Sequence, residues 1–166
     1  IEARETSSKR RAVFKTDVDV PAYKASPCIS DIQFASSITE NVESSKFVKG
    51  NLRVVPHPVH TYRIPTPIVF YFEIYGLSTD KEGKTFYRVE YRIIPLERRR
   101  WGPVLQEAPA NVGSALETSG YGSTQPQRLS IATNELWEGP FRLDVTVTDR
   151  RTFKTAAQSA KFSIIK

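Results

Sequence analysis

The only two histidines of the chain, His57 and His60, lie three residues apart in the segment His57-Pro58-Val59-His60. Imidazole nitrogens bind transition metals, so this pair is a weak candidate for a metal site. Residues three apart in an extended chain point to opposite faces, however, and the neighbouring sequence offers no obvious third ligand. We therefore predict no metal and no cofactor, and keep a cryptic metal-dependent enzyme that uses His57 and His60 as one alternative.

Other catalytic groups lack the spacing that their chemistry needs. Cys28, the single cysteine, lies between Pro27 and Ile29 with no histidine nearby, and no Gly-x-Ser-x-Gly segment is present. The carboxylate pairs Asp17 with Asp19 and Asp80 with Glu82 fit no Asp-x-Asp-x-Asp-Gly calcium loop. Because no reaction can be assigned to these residues, we predict that the chain is not an enzyme.

The densest cluster of recognition chemistry is Glu97-Arg98-Arg99-Arg100-Trp101, at the predicted exit of a strand. Arginine and tryptophan are frequent interface anchors, and guanidinium groups also bind phosphates and lipid headgroups. The alternative is a solvated loop with the indole folded over the sheet edge. We predict that partner binding involves the residues Arg98, Arg99, Arg100, Trp101, Tyr121 and Trp137. A carbohydrate-binding alternative would use Trp101, Tyr121 and Trp137 as stacking platforms.

The charge of the chain favours anionic partners. Its 166 residues carry a formal net charge of +6, which attracts acidic proteins, anionic lipid headgroups or nucleic acids in a salt-dependent way. Nucleic-acid binding would require basic and aromatic side chains interleaved along one sheet face, and Tyr87-Arg88 with Tyr91-Arg92 meets this only in part. We predict no nucleic-acid partner.

Targeting signals are not evident in the sequence. No apolar run reaches the 18 residues of a membrane helix, the first residues do not resemble a signal peptide, and one cysteine cannot form an internal disulfide. The sequence contains no methionine. We expect a processed or trimmed piece, with an export signal, lipid anchor or further domain preceding it in the gene product.

The periodicity of the sequence predicts an all-β fold. Short runs rich in Val, Ile, Phe and Tyr are separated by Gly, Pro, Asn and Asp, and no amphipathic helix of ordinary length is found. Strands are expected at 11–20, 29–36, 52–55, 68–75, 85–95, 127–133, 141–148 and 157–165. We expect 68–75 and 85–95 to form the central hairpin, residues 37–51 to be irregular, and 101–126 to be the longest structureless stretch. These features predict an antiparallel immunoglobulin-like β-sandwich of about eight or nine strands, with residues 1–11 as a flexible arm and 12–166 as one domain.

Several stretches together resemble the β-sandwich portion of bacterial GWxTD-domain proteins. They are Ser30 to Ala35, Leu52 to Pro58, Val69 to Leu77, Tyr87 to Tyr91 and Leu136 to Asp149, so that the resemblance covers roughly residues 12–165 in order. The Gly-Trp-x-Thr-Asp motif that names the family is absent. The segment Leu136 to Phe141 is also similar to the Greek-key corner of immunoglobulin-like domains, although Phe141 lacks the hydroxyl of the corner tyrosine.

The resemblance implies an exported or envelope protein and transfers no catalytic residue. Together with the missing catalytic motifs, it leads us to expect a non-enzymatic, periplasmic or otherwise extracytoplasmic structural subunit that is peripheral to a membrane. Such a module would dock on a larger membrane-bound protein complex, and a photosynthetic reaction-centre and light-harvesting assembly is one candidate host. The alternative is a sandwich domain that binds carbohydrate or anionic lipid.

Overall fold

A computed structural model of the chain describes residues 2–4, 11–13, 15, 17, 23, 26–40, 46–98, 105–107 and 112–166. The described residues form fourteen β-strands and no helix, and hence no helix that could cross a membrane. The strands are β1 Glu2–Arg4, β2 Arg11–Val13, β3 Cys28–Ile29, β4 Gln33–Glu40, β5 Val48–Lys49, β6 Leu52–Pro56, β7 Thr61–Arg63, β8 Ile68–Tyr75, β9 Lys84–Arg98, β10 Leu105–Glu107, β11 Val112–Tyr121, β12 Gln125–Ile131, β13 Gly139–Asp149 and β14 Thr155–Ile165.

Twelve of these strands make two six-stranded sheets that pack face to face, which confirms the predicted all-β sandwich. The first sheet has the order β10-β9-β13-β14-β7, and β11 pairs with β9 beside β10. The second has the order β12-β8-β4-β6-β5, and β3 pairs with β8. The pairing is antiparallel except between β14 and β7, which run parallel over three residues. The remaining strands, β1 and β2, pair with each other.

The hydrophobic core lies between the sheets and follows the alternation of the strands. On β13, Phe141, Leu143, Val145 and Val147 are fully buried, while Arg142 and its alternate neighbours are half-buried on the outer face. On β8 the fully buried residues are Ile68, Phe70, Phe72 and Ile74. Aromatic rings connect the two sheets, since Phe34 of β4 lies 5.7 Å from Phe162 of β14. Burial of such alternating rows is the main stabilising term of a sandwich.

The expected hairpin between residues 68–75 and 85–95 is wrong. β8 and β9 lie in different sheets, because β8 pairs with β12, β4 and β3 while β9 pairs with β13, β11 and β10. The connection passes over the end of the core, where Leu77 is buried and its N–H donates to the Ser123 carbonyl at 3.0 Å. A connection of this length does not force two strands into one sheet, as a two-residue turn would.

The expectation of a structureless segment at 101–126 is also wrong. Within it, β10 pairs with the end of β9, and all ten residues of β11 pair with β9 from Val112↔Ile93 to Tyr121↔Lys84. Residues 113–117 of β11 are all exposed, so this part of the strand has no buried face. A strand with no buried face shows no hydrophobic alternation in its sequence.

Residues 37–51, expected to be irregular, contain the second half of β4 and the short β5. A bulge between Ala35 and Ser37 interrupts the pairing of β4 with β6. Glu40 of β4 forms an ion pair at 2.5 Å with Arg128 of β12, although β8 lies between these strands in the sheet. The end of β4 therefore bends over the outer face of β8, where a second small core contains Ala35, Leu52, Val54 and Tyr71.

Candidate interaction surfaces

Of the three arginines in the predicted cluster, the structure describes only the first. Arg98 is the last residue of β9, whereas Arg99, Arg100 and Trp101 lie outside the described residues. Trp137 lies at the same end of the sandwich, because the register pairs Phe141 of β13 with Pro95 of β9. Its side chain is 50% exposed, and its ring lies 5.6 Å from that of Phe141. Trp137 is thus partly anchored on the core and partly open to solvent.

Tyr121 is far from these residues. It pairs with Lys84 at the start of β9, fourteen residues from Arg98, which corresponds to roughly 46 Å along an extended strand. Its side chain is 75% exposed. The structure thus places Tyr121 and Trp137 at opposite ends of the sandwich, so they do not form one stacking platform for a carbohydrate.

His57 and His60 each pack against an aromatic ring, and these two rings, of Tyr62 and Phe34, contact each other. The Nε2 atom of His57 lies 2.8 Å from the Thr61 carbonyl oxygen, to which it donates, and the ring lies 4.7 Å from that of Tyr62. His60 has a left-handed backbone with φ 51°, and its ring packs 4.9 Å from Phe34. Among the described residues, no three His, Cys, Asp or Glu side chains are close enough to share a metal ion.

The acidic and thiol candidates have local structural contacts. Asp80 Oδ1 accepts hydrogen bonds from the backbone N–H groups of Glu82 (3.0 Å) and Lys84 (2.8 Å), which fixes the turn before β9. Cys28 is a free, half-buried cysteine, and burial raises the pKa of its thiol. A thiol with a raised pKa is a poor nucleophile at neutral pH. Asp17 is exposed, and Asp19 lies outside the described residues.

An unpredicted carboxylate network lies on the outer face of β8. Glu73 accepts hydrogen bonds from the hydroxyls of Tyr71 (2.6 Å) and Tyr75, and Lys49 lies 4.9 Å above the Tyr71 ring. Burial alone would raise the pKa of Glu73, but the two hydroxyls and the Lys49 charge outweigh it and lower the pKa. The site holds a stabilised carboxylate, which is a poor general base at neutral pH.

The two tyrosine–arginine pairs predicted on β9, Tyr87-Arg88 and Tyr91-Arg92, place their aromatic and basic side chains on opposite sides of the sheet. Tyr87 is buried in the core, and Arg88 lies on the outer face with an ion pair to Glu90 at 2.8 Å. Arg92 is exposed on that same outer face, while Tyr91 packs against the core. These side chains therefore do not alternate along one exposed surface, as a stacking platform for single-stranded nucleic acid would require.

Among the described residues, the longest open edge of the sandwich is formed by β11. Its ten residues pair with β9 on one side, and on the other side the described residues provide no partner strand. Leu116 is 53% exposed and Glu117 is the only charged residue of the strand, with an ion pair to Arg150 at 3.4 Å. An open edge presents N–H and C=O groups that can pair with another extended chain.

The other sheet edges of the described structure are shorter, and the longest of them is the part of β14 from Thr155 to Phe162, which pairs with no strand on its second side and carries Lys161. β7 has three residues and β5 has two, so neither can support a long ladder. The edge strand β12 carries Pro126, which lacks an N–H, and Arg128. Proline and charged residues commonly protect sheet edges from pairing, whereas β11 contains no proline and no lysine. The sequence analysis did not predict β11. The lack of proline and lysine in this segment indicates an open edge only once the segment is known to be an edge strand.

The scan against protein-family models finds no match for this sequence, and no curated protein matches it either. The similarity to GWxTD-domain proteins therefore stays a prediction from the quoted segments.

Proposed function

We propose that this chain is a non-enzymatic interaction module that binds an extended segment of a protein partner along the open edge of β11. The observation that carries the proposal is a ten-residue edge strand without proline or lysine and with side chains exposed on both faces. Strand addition uses backbone hydrogen bonds for affinity and alternate side chains for specificity. Leu116, exposed near the middle of the strand, supplies an apolar anchor for such a partner.

The resemblance to envelope proteins supports a partner within a larger membrane-bound complex and an extracytoplasmic location. In this proposal the chain is a structural subunit, with Arg98, Arg99, Arg100 and Trp101 as a second contact near the far end of β9. A photosynthetic reaction-centre and light-harvesting assembly remains one candidate host. Carbohydrate binding is less favoured because Tyr121 and Trp137 are far apart. Metal-dependent catalysis is less favoured because, in the described part of the chain, no third His, Cys, Asp or Glu joins His57 and His60 as a ligand.

The proposal is tested by photo-cross-linking from β11 in membranes of the source cell. A cross-linkable residue replaces Ala115 on β11, and the matched control replaces Ser130 on the protected edge of β12. We expect one defined protein to be cross-linked from position 115 and not from position 130. Leu116→Lys should abolish this product, because a lysine on an edge strand opposes strand addition, whereas Ser130→Lys should leave it unchanged.

Recovery of the same product with Leu116→Lys, or equal cross-linking from both edges, would contradict binding along β11. Hydrogen exchange of the purified pair gives an independent reading. The β11 amides that point away from β9 should become protected when the partner is bound, because they then donate to its backbone.

A further inference from the structure

The turn between β13 and β14 is built around a buried carboxylate. Asp149 is 1% exposed, and Oδ1 accepts from the N–H groups of Arg151 (2.8 Å) and Thr152 (3.2 Å) and from the Ser78 hydroxyl (2.8 Å). Its Oδ2 atom accepts from the Ser78 N–H at 2.7 Å. The Phe153 N–H donates to the Asp149 carbonyl at 2.8 Å. The shape of this turn is therefore fixed before any ligand arrives.

Phe153 occupies this turn at a cost to folding. Its backbone has φ 57°, in the left-handed region that glycine and asparagine tolerate better than a bulky residue. The side chain is 72% exposed, so the ring gains little from burial. A strained backbone that displays an apolar ring to solvent serves no stabilising purpose in the isolated domain. Such outliers point to a function outside the fold.

Cationic residues lie near Phe153 on its own turn and on the neighbouring loop. Arg151 and Lys154 flank Phe153 on the same turn, are exposed, and have no ion-pair partner among the described residues. The neighbouring loop, joined to the turn through the Ser78–Asp149 bonds, carries Lys81, which is also exposed. Tyr121 lies at this end as well, because the N–H of the next residue, Gly122, donates to Gly83 at 2.8 Å.

We infer that this end of the sandwich, which we call the Phe153 tip (Lys81, Tyr121, Arg151, Phe153 and Lys154), docks on the surface of an anionic lipid membrane. The aromatic rings would insert at the boundary between headgroups and acyl chains, while the three cations lie among the lipid phosphates. The ring projects from a turn, so a deformable lipid layer can surround it, whereas a protein partner would need a matching pocket. The inference is independent of strand addition at β11.

The test is sedimentation of the whole chain with vesicles of phosphatidylcholine alone and with vesicles that also contain phosphatidylglycerol. We expect binding to the anionic vesicles, which added salt weakens. Phe153→Asn should reduce the partition coefficient about tenfold or more, because the apolar insertion is lost. The thermal midpoint of this variant should equal or exceed that of the parent chain, since asparagine tolerates the left-handed backbone. Arg151→Ser with Lys154→Ser should weaken binding and flatten its salt dependence.

Val59→Asn is the matched control. Val59 is also 72% exposed, but it lies in the loop before β7 at the other end of the sandwich, so this variant should bind vesicles as the parent chain does. Equal binding of Phe153→Asn and the parent chain would overturn the inference, and so would failure of the parent chain to bind anionic vesicles. Glycerol phosphate that binds as tightly as vesicles would indicate a phosphate site. Polyglutamate binding retained by Phe153→Asn, without vesicle binding, would indicate an acidic protein.

Discussion

At the scale of single residues, two buried tyrosines differ in whether their hydroxyls have a hydrogen-bond partner. Tyr87 is 2% exposed, and its hydroxyl accepts a hydrogen bond from Gln127 of the opposite sheet at 2.7 Å. Tyr62 is 4% exposed, and its buried hydroxyl has no hydrogen-bond partner among the described residues. Burial raises the pKa of both hydroxyls, so both stay protonated at neutral pH. A buried polar group without a partner is destabilising.

We expect Tyr62→Phe to leave the free energy of unfolding unchanged or to raise it by about 1 kcal/mol, because it removes an unsatisfied hydroxyl. The same change at the second site, Tyr87→Phe, should lower that free energy by about 1 kcal/mol, because it removes the hydrogen bond that Gln127 donates to the Tyr87 hydroxyl. Urea denaturation of both variants measures the difference. Equal destabilisation of the two would show that the Tyr62 hydroxyl has a partner in solution.

At the scale of elements, β13 and β11 are strands of similar length in different surroundings. β13 pairs with β9 on one side and with β14 on the other, and its inward residues are fully buried. β11 pairs with β9 alone. In an antiparallel edge strand, alternate residues exchange hydrogen bonds with the neighbour, and the remaining amides point to solvent.

Hydrogen exchange of the isolated chain should therefore distinguish the two strands. Amides along the whole of β13 should exchange only through global unfolding, because the strand is hydrogen-bonded on both sides. On β11 we expect protected and unprotected amides to alternate. Continuous protection of β11 in the isolated, monomeric chain would mean that its second edge is already covered, and would contradict an open docking edge.

At the scale of the whole molecule, two stabilised carboxylates connect its parts. Asp149 joins the β13–β14 turn to Ser78 of the long connection between the sheets, and Glu73 joins the two tyrosines on the outer face of β8. For Asp149, burial alone would raise the pKa, but the hydrogen bonds from Ser78, Arg151 and Thr152 outweigh it and lower the pKa. Both carboxyls therefore have folded-state pKa values below their usual range.

Because a lowered pKa means that the unfolded chain binds protons more readily, these carboxylates stabilise the fold above about pH 4.5. That contribution should be lost as the pH falls through their folded-state pKa values. In urea denaturation, the contribution of these two carboxylates to the free energy of unfolding should be the same at pH 7 and pH 5.5. The free energy of unfolding should decrease below about pH 4. In Glu73→Gln with Asp149→Asn the decrease should be smaller, although the variant starts from a lower stability. If the free energy of unfolding of the variant fell with pH as steeply as that of the parent chain, the acid sensitivity would belong to other groups.

The sequence determined the all-β class and the positions of the strands that bury one face. Phe141 to Val147 alternate because every second side chain enters the core, and residues 68–75 are apolar because one face fills the main core and Tyr71 is buried on the other. The spacing of apolar residues along a strand indicates which side chains are buried, so these strands could be predicted from the sequence. The exposed aromatics Tyr121 and Trp137 were likewise identified by residue type.

Only the tertiary structure decided which strands share a sheet, where an edge lies open and which end displays Phe153. β8 and β9 enter different sheets because their long connection leaves the pairing to contacts distant in sequence, such as Leu77 with Ser123. β11 shows no alternation because residues 113–117 are exposed on both faces, and the turn that displays Phe153 is held by hydrogen bonds from Ser78 of another loop to Asp149. Pairing and exposure of this kind arise from residues far apart in the chain, so no local pattern contains them.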